Sequence, residues 1–242
     1  MLEIEKISKS FGGIRAINGV SLTVREGDFL GLIGPNGSGK TTLFNLISGH
    51  IHSDSGRILY KGKKIMGLKS HQICHLGIAR TFQVPRPFQT MSVVENVMMA
   101  VLFARIGVES SEEMAREEAL KYLEFVGLDV ESHTMPSELT AGNLHRLELA
   151  RAIATKPRLL LLDECMSGLN AEEIAKGTLT LKRIHEETGT TIIWVEHVLS
   201  AIMKLVQRVV VLDSGKVIAE GDPATISRDP TVIEAYLGGK EA

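Results

Sequence analysis

The stretch FLGLIGPNGSGKTTLFNLISG, residues 29–49, constrains this chain more than any other. The apolar residues Phe29, Leu30, Leu32 and Ile33 predict a buried strand, followed by a glycine-rich turn and a helix from Lys40 towards Gly49. The turn, Gly34 to Thr41, fits G-x-x-x-x-G-K-[ST], the spacing of a phosphate-binding loop. Each residue type has a physical reason there. Gly34, Gly37 and Gly39 open backbone angles closed to other residues and let amide N–H groups approach an anion. Those amides begin a helix whose N-terminus carries partial positive charge, which stabilises a triphosphate. Lys40 can reach the terminal phosphates, and the Thr41 hydroxyl can ligand Mg²⁺. The pattern alone is short enough to arise by chance; the strand before it and the helix after it give it meaning.

A chain of 242 residues can bury one substantial core, or one core with a helical lobe attached. Its 44% hydrophobic and 23% charged residues are ordinary for a soluble globular protein. With 27 basic residues against 29 acidic ones, no general affinity for nucleic acid or anionic lipid follows. No apolar run reaches the roughly 20 residues needed to span a bilayer. Leu2 and Ile4 alternate with Glu3 and Glu5, which reads as a strand and not as a signal peptide. Cys74 and Cys165 are too few for a disulfide framework and suit a reducing cytoplasm.

Residues 2–7 and 20–24 alternate as strands, and Glu26-Gly27-Asp28 turns into the buried strand. Phe11, between the two, can stack on an adenine ring or simply pack. Residues 57–60 and 78–82 read as short strands around a helix near 71–76. Ser92 with Glu95, and Ser110 with Glu113, look like capping boxes opening helices through Ala104 and to about Phe125, the second stopped by Gly127. Residues 88–155 therefore read as a mostly helical insertion ending at Lys156-Pro157.

The run Leu159–Leu162 lacks alternation, as in a parallel strand buried on both faces. It delivers Asp163 and Glu164 at its C-terminal end, where open α/β sheets bind ligands. There an aspartate can hold Mg²⁺ through its water shell and the glutamate can polarise an attacking water. The bland alternative is an acidic helix start. Asn170 caps a helix to about Thr188, closed by Gly189. Residues 191–195, TIIWV, form another buried strand, and His197 after it is either structural or a group touching a γ-phosphate. Residues 208–212 and 217–219 form a hairpin, and Asp222-Pro223 and Asp229-Pro230 start two closing helices.

In this order the pieces resemble the ATP-binding cassette (ABC) family of transport ATPases over essentially the whole length. GPNGSGKTT at 34–42 is similar to its Walker A loop, and Gln83 in ARTFQ to its Q-loop glutamine. LLLLDE at 159–164 resembles Walker B, and Ser167-Gly168-Leu169-Asn170 stands at the D-loop. The signature, usually LSGGQ, is here Leu139-Thr140-Ala141-Gly142-Asn143, which keeps the hydroxyl and the close-approach glycine. Cys165 replaces the usual proline after the glutamate; it is a small buried hydrophobe or, alternatively, a redox group.

The resemblance implies an α/β P-loop NTPase with a RecA-like core, an antiparallel β subdomain and a helical subdomain. The core would take residues 1–87 and 156–242, and the helical subdomain about 88–155. ATP and Mg²⁺ are the implied cofactors. Nucleotide contacts fall on Phe11, Ala16, Gly34, Asn36, Gly37, Ser38, Gly39, Lys40, Thr41 and Thr42, with Thr140 and Gly142 acting across a dimer of two cassettes. Thr41, Gln83 and Asp163 are the implied magnesium ligands. Glu164 is the implied general base, with His197 and Gln83 as γ-phosphate sensors.

Within the family, RTFQVPRPFQTMSVVENVMMA and DPTVIEAYLGG look like the importer ATPases for branched-chain amino acids and related hydrophobic or amide solutes. The implied partners are two integral-membrane permeases, a second cassette and, indirectly, an extracytoplasmic solute-binding protein, with no nucleic acid. The implied place is the cytoplasmic face of the membrane, with residues 84–91 either lining the permease groove or forming a rigid surface loop. Lipopolysaccharide-type export, a soluble ABC ATPase and a non-hydrolysing scaffold are the competing readings.

Overall fold

The computed structural model describes residues 1–104, 111–196 and 198–237. The chain begins with strands β1 (Leu2–Phe11), β2 (Ile14–Val24) and β3 (Phe29–Ile33), then helix α1 (Lys40–Ile47). Strands β4 (Ser55–Tyr60) and β5 (Lys63–Lys64), helix α2 (Ser70–His75) and strand β6 (Ile78–Arg80) follow. Helices α3 (Val93–Ala104), α4 (Glu112–Phe125) and α5 (Ala141–Ala154) come before β7 (Leu159–Asp163) and α6 (Ala171–Thr188). The chain closes with β8 (Thr191–Val195), α7 (Leu199–Leu205), β9 (Arg208–Asp213), β10 (Lys216–Gly221), α8 (Pro223–Ile226) and α9 (Pro230–Leu237). It divides into two compact units, Met1–Ile73 with Thr191–Ala242, and Cys74–Thr190.

In the first unit, β2, β1, β4 and β5 make an antiparallel sheet in that order. Its alternation is the one read from Leu2 and Ile4, which are buried against exposed Glu3. The strands run longer than their apolar residues suggest, because β1 and β2 pair as far as Phe11 opposite Ile14.

β3 lies between β8 and β9 and is parallel to both, and β10 adds antiparallel to β9. All five residues of β3 are buried, as an unbroken apolar run in a parallel sheet demands. Phe29 and Trp194 meet at 6.1 Å between ring centroids, both inaccessible to solvent. Each such side chain contributes about 1.5–3 kcal/mol by leaving water. Gly31 is glycine for a packing reason: a Cβ there would lie 2.8 Å from Cγ2 of Ile202 on α7.

In the second unit β6 pairs parallel with β7, Ile78 opposite Leu159, and α3, α4 and α5 pack on one another. Both halves of the capping box at Ser92 and Glu95 are made. α4 is capped by Ser111, whose hydroxyl accepts from the Met114 N–H, and not by the Ser110–Glu113 pair; Ser110 itself lies outside the described residues. The adjacent serines offer two registers, and the chain takes the one that needs no return bond from Glu113. Asn170 and Glu173 close a reciprocal box on α6, which ends at Gly189 in the left-handed region.

β5 and α7 have no counterpart in the sequence pattern: β5 is two lysines, and α7 is seven residues without a side-chain cap. No helix among the described residues is long and apolar enough to cross a membrane.

Candidate nucleotide site

The glycine-rich loop leaves β3 at Gly34 and enters α1 at Lys40. Two of its glycines are required by space as well as by angle. At Gly34, φ is +149° and a Cβ would lie 2.0 Å from the Leu212 carbonyl oxygen. At Gly39, φ is +107° and a Cβ would lie 2.5 Å from the Ala16 carbonyl oxygen, so Ala16 sits directly behind the loop. α1 has no side-chain cap at Gly39 and no acidic residue in its first turn, leaving its N-terminal amides and positive dipole end for an external anion.

Lys40 is buried and ties the loop to itself: Nζ donates to the carbonyls of Gly34 at 2.8 Å and Pro35 at 2.9 Å and to Oγ of Ser38 at 3.4 Å. Asn36, Gly37 and Thr41 face solvent, Ser38 is buried and Thr42 is half-buried. Behind the loop, the Gly34 N–H donates to the Tyr236 hydroxyl at 2.8 Å, and the Ser38 carbonyl accepts from the Gly215 N–H. Phe11 ends β1 with 47% of its surface exposed, and the Lys9 ammonium stands 5.4 Å from its ring centroid. An exposed aromatic fits the stacking reading better than the packing one.

The second unit gathers Gln83, Asp163 and Glu164. β7 carries Asp163 at its end, almost wholly buried, with its N–H donating to Thr81 Oγ1 at 3.2 Å. The next residue, Glu164, takes φ +48°, a left-handed angle that costs a non-glycine residue of order 1 kcal/mol. That turn faces its carboxylate to Gln83, whose Nε2 donates to Oε2 at 2.6 Å. Cys165 is buried, as the small-hydrophobe reading expects. His197 lies outside the described residues.

Thr140 caps α5, its hydroxyl accepting from the Asn143 N–H at 3.3 Å. Gly142 follows in the first turn, where a Cβ would lie 2.9 Å from Glu173 Oε1 and 3.3 Å from Leu169 Cδ2. The glycine is thus also what lets α5 approach the start of α6.

Two groups here escaped sequence reasoning. Arg80, at the end of β6, pairs with Asp163 at 2.7 Å, and both side chains are nearly inaccessible. Burial pushes its guanidinium down, while Asp163 and then Glu148 act against that. Glu148, on α5, is 6% exposed. Burial pushes its carboxyl up to about 7; the Phe82 N–H and the charges of Arg151, Arg80 and Arg86 only partly oppose this. The signal in the sequence was a single carboxylate inside the apolar run LELARAIA.

Glu148 therefore makes a stability prediction. Its carboxyl is harder to ionise in the fold than in the unfolded chain, so its penalty grows as pH rises from the ordinary 4.5 to about 7 and is constant above that. The penalty at mildly alkaline pH is roughly 3 kcal/mol. Glu148→Gln is expected to be more stable than the wild type by about 1–3 kcal/mol at pH about 8, with the gain vanishing towards pH about 4.5. Urea denaturation at the two pH values checks this; a less stable variant at the higher pH contradicts it.

The segment after Gln83 is held by Asn96, fully buried, whose Nδ2 donates to the carbonyls of Phe88, Met91 and Ser92. Arg151 donates to the Arg86 carbonyl and stands 4.8 Å from the Phe88 ring centroid. Val84 and Phe88 stay exposed on this fixed segment.

The donor chemistry fits magnesium. Among the described residues no group of three or more His, Cys, Asp or Glu side chains could hold a metal alone. Within the second unit, the Asp163 carboxylate and the Gln83 amide oxygen are donors of the hard-oxygen kind that Mg²⁺ takes, with water and phosphate to complete its shell.

The ABC transporter family model matches residues 17–167, and that of the branched-chain amino acid ATP-binding cassette transporter matches residues 216–242. The chain is 37% identical over 249 residues to the high-affinity branched-chain amino acid transport ATP-binding protein BraF of Pseudomonas aeruginosa, covering 98% of each. It is 36% identical over 249 residues to the corresponding protein LivG of Escherichia coli, again covering 98% of each. Among solved structures it superposes on the ADP conformation of an ATP-binding cassette of an ABC transporter with a TM-score of 0.86 at 33% identity, covering 98% of each chain. A dimeric post-hydrolysis state of another cassette, bound to ADP and Pi, gives 0.83 at 27% identity, covering 92% of this chain and 99% of the other. With the phosphate loop, the paired glutamine and glutamate and the capped signature helix in place, this chain belongs to the ABC family of P-loop transporter ATPases.

Proposed function

We propose that the chain is the ATP-hydrolysing subunit of a membrane importer for branched-chain amino acids or related hydrophobic or amide solutes. The observation that carries the solute class is the match of residues 216–242 to the branched-chain cassette model, which agrees with relatives similar over nearly the full length. The chain works as a peripheral subunit on the cytoplasmic face, paired with a second cassette beneath two permeases. An extracytoplasmic binding protein then supplies the solute.

In this reading each residue has one task. The loop amides and Lys40 bind the phosphates, and Phe11 stacks on the base. Thr41, Gln83 and Asp163 hold magnesium, which when bound neutralises charge on the phosphates. Glu164 takes the proton of the attacking water, with Gln83 orienting its carboxylate and His197 sensing the γ-phosphate. Thr140 and Gly142 contact the nucleotide of the partner cassette, so that ATP closes the pair and hydrolysis lets it open. The exposed Val84 and Phe88, on a segment clamped by Asn96, receive a helix of the permease.

Affinity capture of the tagged chain from detergent-solubilised native membranes, with partners identified by mass, tests this. Two multi-span permeases and a second cassette are expected. Export-type membrane partners would reverse the direction, and soluble partners or ribosomes alone would overturn the transport reading.

A further inference from the structure

We infer that Tyr236 is a positioning residue for ATP binding, holding the phosphate loop at its first residue from helix α9. This role rests on the reading of residues 34–42 as the phosphate loop. The sheet ladder ends just before Gly34: β3 pairs with β8 as far as Leu32 and with β9 as far as Ile33, opposite Val211. The next backbone N–H, that of Gly34, therefore needs a partner from elsewhere in the fold. It donates to the Tyr236 hydroxyl at 2.8 Å, 202 residues further along the chain. Loop and helix both belong to the first unit, Met1–Ile73 with Thr191–Ala242.

The helix that carries Tyr236 is itself fixed. Asp229 starts it, its carboxylate accepting from the Thr231 N–H at 2.8 Å, and α9 packs on β10 with Val232 buried. Burial pushes the Tyr236 phenol up, the Gly34 N–H acting against this, so the group stays a neutral hydroxyl whose oxygen accepts. Gly34 is where the chain leaves the sheet and turns. Its carbonyl accepts from Lys40 Nζ at 2.8 Å, a donor that bound phosphate draws on. Further along the loop, the Ser38 carbonyl accepts from the Gly215 N–H at 3.0 Å. The Tyr236 bond thus keeps the near end of the loop in place when Lys40 turns to nucleotide. Without it the empty loop gains conformations in which its amides no longer converge, and binding has to gather them again. Tyr236 reaches the nucleotide only through Gly34, so it is not a catalytic residue.

The test titrates a fluorescent ATP analogue into the purified full chain, and adds steady-state turnover and the urea midpoint of the nucleotide-free chain. Tyr236→Phe keeps the ring and removes the hydroxyl, whereas Tyr236→Ala removes both. Tyr236→Phe is expected to bind the analogue about 3–10-fold more weakly, the worth of one hydrogen bond. Its KM for ATP is expected to rise by a similar factor, with kcat at saturating ATP unchanged. Tyr236→Ala is expected to lose at least as much affinity.

Wild-type affinity in Tyr236→Phe overturns the inference, since a bond that only supports the fold lowers the urea midpoint and leaves nucleotide binding alone. So does a loss in Tyr236→Ala that Tyr236→Phe does not share, which assigns the effect to the ring. A fall in kcat as large as the fall in affinity overturns it too, reporting distortion beyond the loop. Lys40→Ala separates the two readings. If it binds weakly while Tyr236→Phe binds as the wild type does, only the role of Tyr236 falls; if Lys40→Ala itself binds as the wild type does, the phosphate-loop reading falls and the role of Tyr236 with it.

Discussion

Glu164→Gln is expected to lower ATP turnover by roughly 10²–10⁴-fold, the contribution of a well-placed general base. The substitution is close to isosteric, and an amide at 164 can still bond with the amide of Gln83, so the local geometry survives. Only the ability to take a proton is lost. In the proposed reading nucleotide binding rests on the loop at 34–42, which the substitution leaves untouched, so the variant is expected to accumulate as an ATP-bound dimer. Steady-state phosphate release gives the first quantity and size-exclusion chromatography with ATP gives the second. Wild-type turnover in this variant would mean that Glu164 is not the base.

Lys40→Ala is expected to weaken ATP binding by about 10²–10⁴-fold, if its ammonium makes two charge-assisted bonds to phosphate at about 1.5–3 kcal/mol each. The lysine now gives its three N–H donors to Gly34, Pro35 and Ser38, so two of these bonds are exchanged for the phosphate bonds when nucleotide binds. Lys40→Arg is not expected to restore affinity, because a planar fork does not replace a compact ammonium in a buried site. Fluorescent-nucleotide titration of both variants checks this; near-wild-type affinity in Lys40→Ala would remove the lysine from the phosphate site.

What could be read without coordinates was what local chemistry specifies. The strand, glycine turn and helix at 29–49 follow from apolar runs and a required backbone, the box at Ser92 from bonds made three residues apart, and the start of α6 from the cap residue Asn170. The apolar run at 159–162 announced a doubly buried strand, and β7 is buried throughout. What stayed hidden depends on partners distant in sequence. Tyr236 bonds Gly34 across 202 residues, and Arg80 meets Asp163 across 83. No periodicity records such a pairing. α7 was missed for a different reason: its helix is held by packing against β3, which its seven residues do not advertise. The pair read at Ser110 and Glu113 was one residue out of register, since α4 is capped by Ser111.

The left-handed backbone at Glu164 has a consequence for how such a chain evolves. Glycine or asparagine would sit there with less strain than glutamate does. Screening a random library for heat resistance alone therefore favours replacements that erase the proposed base, while screening for growth on transported solute favours keeping it. The two selections pull position 164 in opposite directions.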